Sequence, residues 1–553
     1  MPQIWMAARY QRSKRWLLPA LLLLVGAFLL LCRLDDAYLW QDEAETALVS
    51  RHLLDHGLPL SSDGTDWVQQ SGQGFVEFTS DYVWIYHSWL QYALTAAAFR
   101  LLGYTAQSGA QAATLSARLP FVLVGLATLL FFYYFLRRWL EPEELLAGVG
   151  SVLLLSCIPF VLLMRQDRYY ALAAFSTLLT LDAYLHLRAG RTWATPYLIL
   201  ASALLYHSHY GAFFPTMAAL GVHCLLVRPA RTEARRFLLA AAMIAFLVLP
   251  WANFMHVLAR GQPFAPDRFL GHLGQLIVYI TGWVFPLVLV PVLLMAWLRR
   301  RVGRGLALNS SQAGFCSLAG LVVAVNIVVL SANAAFDWAF FRYIVHLIPL
   351  LLAMLAVVVV VVVQRWRVVG FALLAVLVTS NGLHTVPYGL PGIRAVNLAQ
   401  LWPTSPAFQA LSDVWAKSGR FRSDVWMYAQ ELTHAYQGPN EGMVAYFHEN
   451  AQPGETVLVN YEDLPLMFYT RLHVIGGLGA HGLTKTVQPD WVVDRRHGPY
   501  RDALALVVAA GSYERIELPY PDIRWENRPE PGTHNYVTVH NADPVVIYRR
   551  RGD

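Results

Sequence analysis

Long apolar runs separated by short polar connections dominate the first two thirds of the chain. A membrane-crossing helix needs ~20 mostly apolar residues. Eleven segments fit: 16–33, 117–136, 145–164, 169–187, 193–209, 211–228, 237–258, 271–298, 313–332, 341–363 and 367–383. The stretch WIYHSWLQYALTAAAFRLLG at 84–103 is apolar but amphipathic, so it reads as a further span or as a helix lying in the interface. Beyond residue 383 the apolar runs shrink to strand length: 456–460, 472–476, 491–494, 515–520 and 545–549. Helical patterns at 440–451 and 500–510 fall between them. Strands separated by helices predict a small α/β domain.

Positive charge decides the topology. With the N-terminus (Arg12, Lys14, Arg15) cytoplasmic and 84–103 not crossing, every later basic cluster falls inside: Arg137–Arg138, Arg188 with Arg191, Arg228 to Arg236, Arg299 to Arg304, and Arg365 with Arg367. If 84–103 crossed, all of them would fall outside, against the bias of Lys and Arg to the cytoplasm. The expectation is a mostly α, polytopic bundle of about eleven spans over 1–383, with a large first outer loop at 34–116, followed by a periplasmic α/β domain over 384–553. The N-terminal run lacks a small-x-small cleavage site and reads as a retained anchor in a bacterial inner membrane.

Composition sharpens this picture. Only 14% of the 553 residues are charged, against about a quarter in soluble proteins, and mean hydropathy is +0.41. The net charge of +6 comes from clusters between apolar runs, which excludes a nucleic-acid face. The four cysteines all lie in apolar runs, so neither a disulfide framework nor a cysteine metal site is readable. No GxGxxG or Walker pattern supports nucleotide binding.

The predicted topology gathers unusual polar residues on the outer face. In LWQDEAETALVSRHLLDHG (39–57), Asp42 and Glu45 fit an N-cap with capping box over a helix at 43–56, and Gly57 fits its stop. Glu43 is not needed by that box, and with Asp42 and Asp167 it is a candidate catalytic acid. In RQDR, Arg165 and Arg168 flank Asp167, and outward arginines suit a phosphate. Arg342 and Tyr343 in FRYIVHLIP, together with Arg260, extend the set. His207 and His209 in YHSHY, with His87, are candidates for substrate contact or a divalent metal, although two histidines without a nearby acid are weak metal evidence. No cofactor is otherwise called for. Asp182 lies fifteen positions after Asp167, or ~22 Å along a helix, and reads as an intramembrane acid near His186.

Acids, outward arginines and a wet–apolar boundary suit a lipid-linked phosphosugar. Arginines neutralise the leaving phosphate, a carboxylate takes the proton of the incoming acceptor, and the transition state resembles an oxocarbenium ion. In order and spacing, WQDEAETA, YHSWLQYALTAAAFRLLG, ARLPFVLVGLATLLFFYYFLRRW, RQDRYYAL and FRYIVHLIP resemble motifs of the GT-C membrane glycosyltransferases, specifically the protein O-mannosyltransferase and aminoarabinose-transferase-like group. The resemblance covers most of 30–383. It implies a polyprenyl-phosphate sugar donor, Asp42 as the catalytic acid-base group, an acceptor that is protein, lipid or glycan, and inverting direct displacement. The chain departs from that pattern where Tyr86-His87-Ser88 replaces a lysine-proline stretch, and where Glu45 stands in place of an arginine. The competing reading is a lipid-linked sugar flippase that uses the same arginines for headgroup binding.

Overall fold

The computed structural model describes residues 2–551 apart from 65–66, 70–75, 141–143, 261–262, 300–306, 334–335, 390–399, 401, 485–486 and 525–526. The side chains of Arg12, Lys14 and Arg15 and the basic positions 301–304 lie outside the described residues. The helices run α1 Pro2–Leu31, α2 Gln41–His56, α3 Leu90–Leu102, α4 Ala110–Trp139, α5 Glu144–Ser156, α6 Ile158–Met164, α7 Tyr170–Arg188, α8 Ala194–Ser208, α9 Tyr210–Val227, α10 Arg231–Phe254, α11 Pro266–Trp283 and α12 Val290–Arg299. They continue with α13 Ser310–Ala332, α14 Ile348–Arg365 (entered through a 3-10 turn, Phe341–Leu347), α15 Arg367–Thr379, α16 Gly382–Gly389, α17 Pro406–Ser418, α18 Asp424–Thr433, α19 Pro439–Asn450, α20 Asp463–Tyr469 and α21 Arg501–Ala510.

Each predicted span coincides with one of these helices or with a consecutive pair. Among the described residues, five unbroken segments are long and apolar enough to cross a membrane: Ala110–Trp139, Tyr210–Val227, Arg231–Phe254, Ser310–Ala332 and Phe341–Arg365. Three predicted spans are instead bent pairs, at 73° between α5 and α6, 82° between α11 and α12, and 86° between α15 and α16. Proline accounts for two of the bends: Pro159 and Pro286 cannot donate to the preceding turn. At the third, Asn381 leaves the helix ladder to exchange hydrogen bonds with the backbone of Arg422, at 3.0 and 2.8 Å. The thirteen residues of α3 cover only ~20 Å, too short to cross, in keeping with the expected surface placement of 84–103. The centre of the bundle is α14. Its valine run is a poor helix former in water, but Ile348 to Val363 is buried throughout, where backbone groups must be satisfied within the helix.

The expected strands are present. They are β1 Thr456–Val459, β2 His473–Gly476, β3 Trp491–Asp494, β4 Tyr513–Pro521 and β5 Pro544–Arg550. They form one sheet in the order β2-β1-β3-β5-β4, with β1, β2 and β3 parallel and β5 antiparallel to both of its neighbours. Its core is shared with the first loop. Leu39, Leu48, Trp84 and Phe99 bury against Phe447, Leu464, Phe468 and Trp491 in one apolar cluster. The α/β unit therefore grips the start of α2. Tyr38 N–H donates to Glu441 at 2.6 Å, Leu39 N–H to the Tyr469 hydroxyl at 2.9 Å, and the Gln41 side-chain amide to Asp463 at 2.7 Å.

Candidate active site

Helix α2 organises the site, but not through the expected cap. It begins at Gln41, its N-cap is Trp40, and no side chain caps it. Asp42 and Glu43 sit in the first turn, where carboxylates favour the helix dipole, so the Asp42–Glu45 capping box does not form. Gly57 does end the helix, in the left-handed conformation (φ 77°) that glycine adopts without strain.

The carboxylates of this turn diverge. Glu43 is fully buried and pairs with Arg118, which donates from Nε at 2.8 Å and from Nη2 at 2.7 Å. Arg118 also holds the carbonyls of Leu34, Ala37 and Tyr38, and Glu43 accepts the Asp167 N–H at 2.8 Å. Glu45 is equally buried and takes a fork from Arg168 at 2.7 and 3.0 Å, plus the Tyr92 hydroxyl at 2.7 Å. Planar guanidinium-to-carboxylate pairing of this kind is strong and directional. Asp42 keeps 15% of its side chain exposed, with Arg342 at 3.2 Å and Arg168 at 4.0 Å.

The other predicted residues divide around this point. Asp167 is wholly buried, its Oδ1 accepting from Thr95 at 2.6 Å. Burial pushes its carboxyl well above the usual range, and it has no open face for substrate. Arg165, expected as a phosphate ligand, turns the other way: it holds the carbonyls of Cys32 and Arg33, the Tyr428 hydroxyl and Glu431. Arg260 is likewise engaged, with the carbonyls of Val76, Ile85, Tyr86 and Met255 and the hydroxyl of Tyr210. Tyr343 is half-buried beside Arg342, whose guanidinium carbon lies 5.9 Å from its ring centre.

The histidines separate too. His87 accepts from Arg168 at 2.9 Å through Nε2. Burial and then Arg168 hold its pKa well below the ordinary value, so the ring is neutral and that nitrogen is occupied. His209 stacks on Tyr169 with ring centres 4.0 Å apart. His207 packs edge-on to Trp251. Among the described residues no three His, Cys, Asp or Glu side chains are arranged to hold a metal ion. Asp182 lies apart, as expected, bonded to Trp139 at 2.7 Å and 3.6 Å from His186. Asn326, also buried in the bundle, bonds His346 at 2.8 Å.

Two neighbours of Arg342 come from a part of the chain without any motif. Arg528 and Glu530 are buried beside Arg342. Glu530 accepts the Phe341 N–H and lies 3.9 Å from Arg342 Nη1. Both Arg342 and Arg528 lie against the rings of Trp40 and Phe340. The only signal available was RPEP itself, two charges alternating with two prolines.

The fold matches known structures. Over 97% of this chain and 98% of the other, it is similar to ArnT from Cupriavidus metallidurans bound to undecaprenyl phosphate, with TM-score 0.56 and 15% identity. The apo state of that protein matches with TM-score 0.52 and 16% identity over 98% of both chains. AglB, an oligosaccharyltransferase from Archaeoglobus fulgidus, aligns more loosely, with TM-score 0.47 and 11% identity over 93% of this chain and 75% of the other. The chain shares the fold of these ArnT structures. No protein-family profile matches the chain, and no curated protein sequence is similar to it.

Proposed function

We propose that the chain is an integral membrane glycosyltransferase that moves a sugar from a polyprenyl-phosphate donor to an acceptor hydroxyl or amine. The observation that carries this reading is the state of Asp42. Among the described acids of the site it alone combines solvent access with two flanking guanidiniums, while Glu43, Glu45 and Asp167 are fully buried. The ArnT structure with undecaprenyl phosphate supports the donor class.

In this reading Arg342 pairs with Asp42 until the donor arrives. Arg342 Nη1 is buried and has no hydrogen-bond partner among the described residues, so it presents a donor to a phosphate oxygen. A phosphate bound there draws the guanidinium charge away from Asp42 and makes the carboxylate a better base. The acceptor oxygen or nitrogen attacks the anomeric carbon, Asp42 takes its proton, and the bond to phosphate breaks with inversion. The polyprenyl phosphate leaves with its charge held by arginine. The site faces the periplasm, with the N-terminus in the cytoplasm of a bacterium and the α/β unit outside. The test is Asp42→Asn in a purified transfer assay: loss of transfer with undecaprenyl phosphate binding intact supports the role, and activity near wild type overturns it.

A further inference from the structure

The segment 527–534 follows strand β4 and belongs by sequence to the α/β unit, yet it ends against the Asp42 site. Its local geometry is set by proline. The Glu530 N–H donates to the Arg528 carbonyl at 2.8 Å, a three-residue turn with Pro529 at its centre. The φ fixed by the pyrrolidine ring suits such a turn. The Arg528 and Glu530 side chains both lie against the short segment Phe340–Arg342. On the far side, His534 bonds Glu431 at 2.8 Å, and Glu431 in turn pairs with Arg165 at 3.2 Å. The loop is therefore tied down at both ends.

The position of Arg528 is unusual for a structural arginine. Its guanidinium carbon lies 4.6 Å from the Phe340 ring centre and 5.4 Å from that of Trp40. Arg342 lies 4.1 Å and 5.4 Å from the same two centres. Two guanidiniums thus share one aromatic pair, and one of them touches Asp42. Like charges buried around the same rings repel, and the nearby Glu530 and Asp42 offset the two charges together. An anion of one to two charges entering beside Asp42 would relieve that repulsion and take charge-assisted bonds from both.

From this geometry, and resting on the donor reading above, we infer that Arg528 is a second ligand of the donor phosphate, delivered from the C-terminal α/β unit, so that the membrane bundle alone holds only part of the donor site. Arg528 is a binding group: with Arg342 it takes the charge of the departing phosphate. Glu530 is a positioning residue, since it holds the Phe341 backbone and stands beside Arg342. The α/β unit thereby becomes part of the donor site as well as a cover over the first loop.

The experiment uses the full-length protein in lipid nanodiscs, with undecaprenyl phosphate as the probe. Arg528→Gln is expected to weaken probe binding roughly tenfold or more, the loss of a charge-assisted contact. Arg515→Gln removes the same charge from an exposed position on the same unit and is expected to bind within about twofold of wild type, as distant surface charges do. If Arg528→Gln does not fold, Arg528→Lys keeps the charge and loses the planar fork; binding about threefold weaker or worse then supports the assignment. A folded Arg528→Gln, or in its place a folded Arg528→Lys, that binds like wild type overturns the role of Arg528 and leaves the donor reading standing. Failure of the wild type itself to bind the probe overturns both.

Discussion

Two arginine–carboxylate clusters stand side by side at one end of the bundle, and they are built differently. In the first, Arg118 and Arg165 bind Glu43, Glu431 and a set of backbone carbonyls. There the positive charge closes the start of α2 onto α4 and locks the turn after α6. In the second, Arg342 and Arg528 stack on aromatic rings, and among the described carboxylates Arg342 reaches Asp42 and Glu530. Its Nη1 has no hydrogen-bond partner among the described residues. Both clusters use the same residue types. The first has its hydrogen bonds closed on the protein, and the second leaves one guanidinium edge, that of Arg342, without one among the described residues.

The largest effect that would break this comparison is at Arg118. Arg118→Ala strands Glu43, a fully buried carboxylate, at a cost of about 3–5 kcal/mol. The expected outcome is loss of monodisperse protein on size-exclusion chromatography. Recovery of normal amounts of active protein would show that the first cluster is not the scaffold described. Next come the two arginines compared directly. Arg342→Gln is expected to raise the donor KM about tenfold or more with little change in melting temperature. Arg165→Gln is expected to do the reverse, lowering stability by roughly 1–3 kcal/mol and leaving donor KM within about twofold. A donor effect at Arg165 equal to that at Arg342 would erase the distinction.

The smallest effect is at Asp167. Burial raises its pKa in the folded state above the unfolded value of about 3.9. The native state therefore keeps a proton that the unfolded chain releases. Stability from this group is full below the unfolded pKa and declines as pH rises towards the folded one. Asp167→Asn removes that decline, so its melting temperature should gain on wild type between pH 5 and pH 8, with transfer largely retained. A gain that shrinks with rising pH would contradict the buried neutral acid.

The strands show what was legible from sequence. WVVD at 491–494 appears as β3 with the expected limits, and the other four strands differ from their predicted bounds by no more than two residues. Alternating β-branched residues between turns leave a local signature. The convergence of Asp42, Arg168 and Arg342 was also readable, because hydropathy and charge bias assign sides to short turns. What failed was whatever depends on distant partners. Asp42-x-x-Glu45 has the spacing of a capping box, but Glu45 is claimed by Arg168 across 123 positions. Arg165 and Arg260 read as phosphate ligands because the backbone carbonyls that engage them here leave no trace in a sequence. The bends at Pro159, Pro286 and Asn381 were lost inside runs long enough to span, where apolarity outweighed the break.

The central claim is that Asp42 is the base of a sugar transfer from polyprenyl phosphate, held but not consumed by Arg168 and Arg342. Its most direct test pairs transfer with binding in the same Asp42→Asn preparation. The account predicts transfer reduced by about 10²- to 10⁴-fold, with undecaprenyl phosphate bound at least as tightly as by wild type, because a competing negative charge is gone. Transfer within a few-fold of wild type, in a folded protein that binds the same probe, would contradict it.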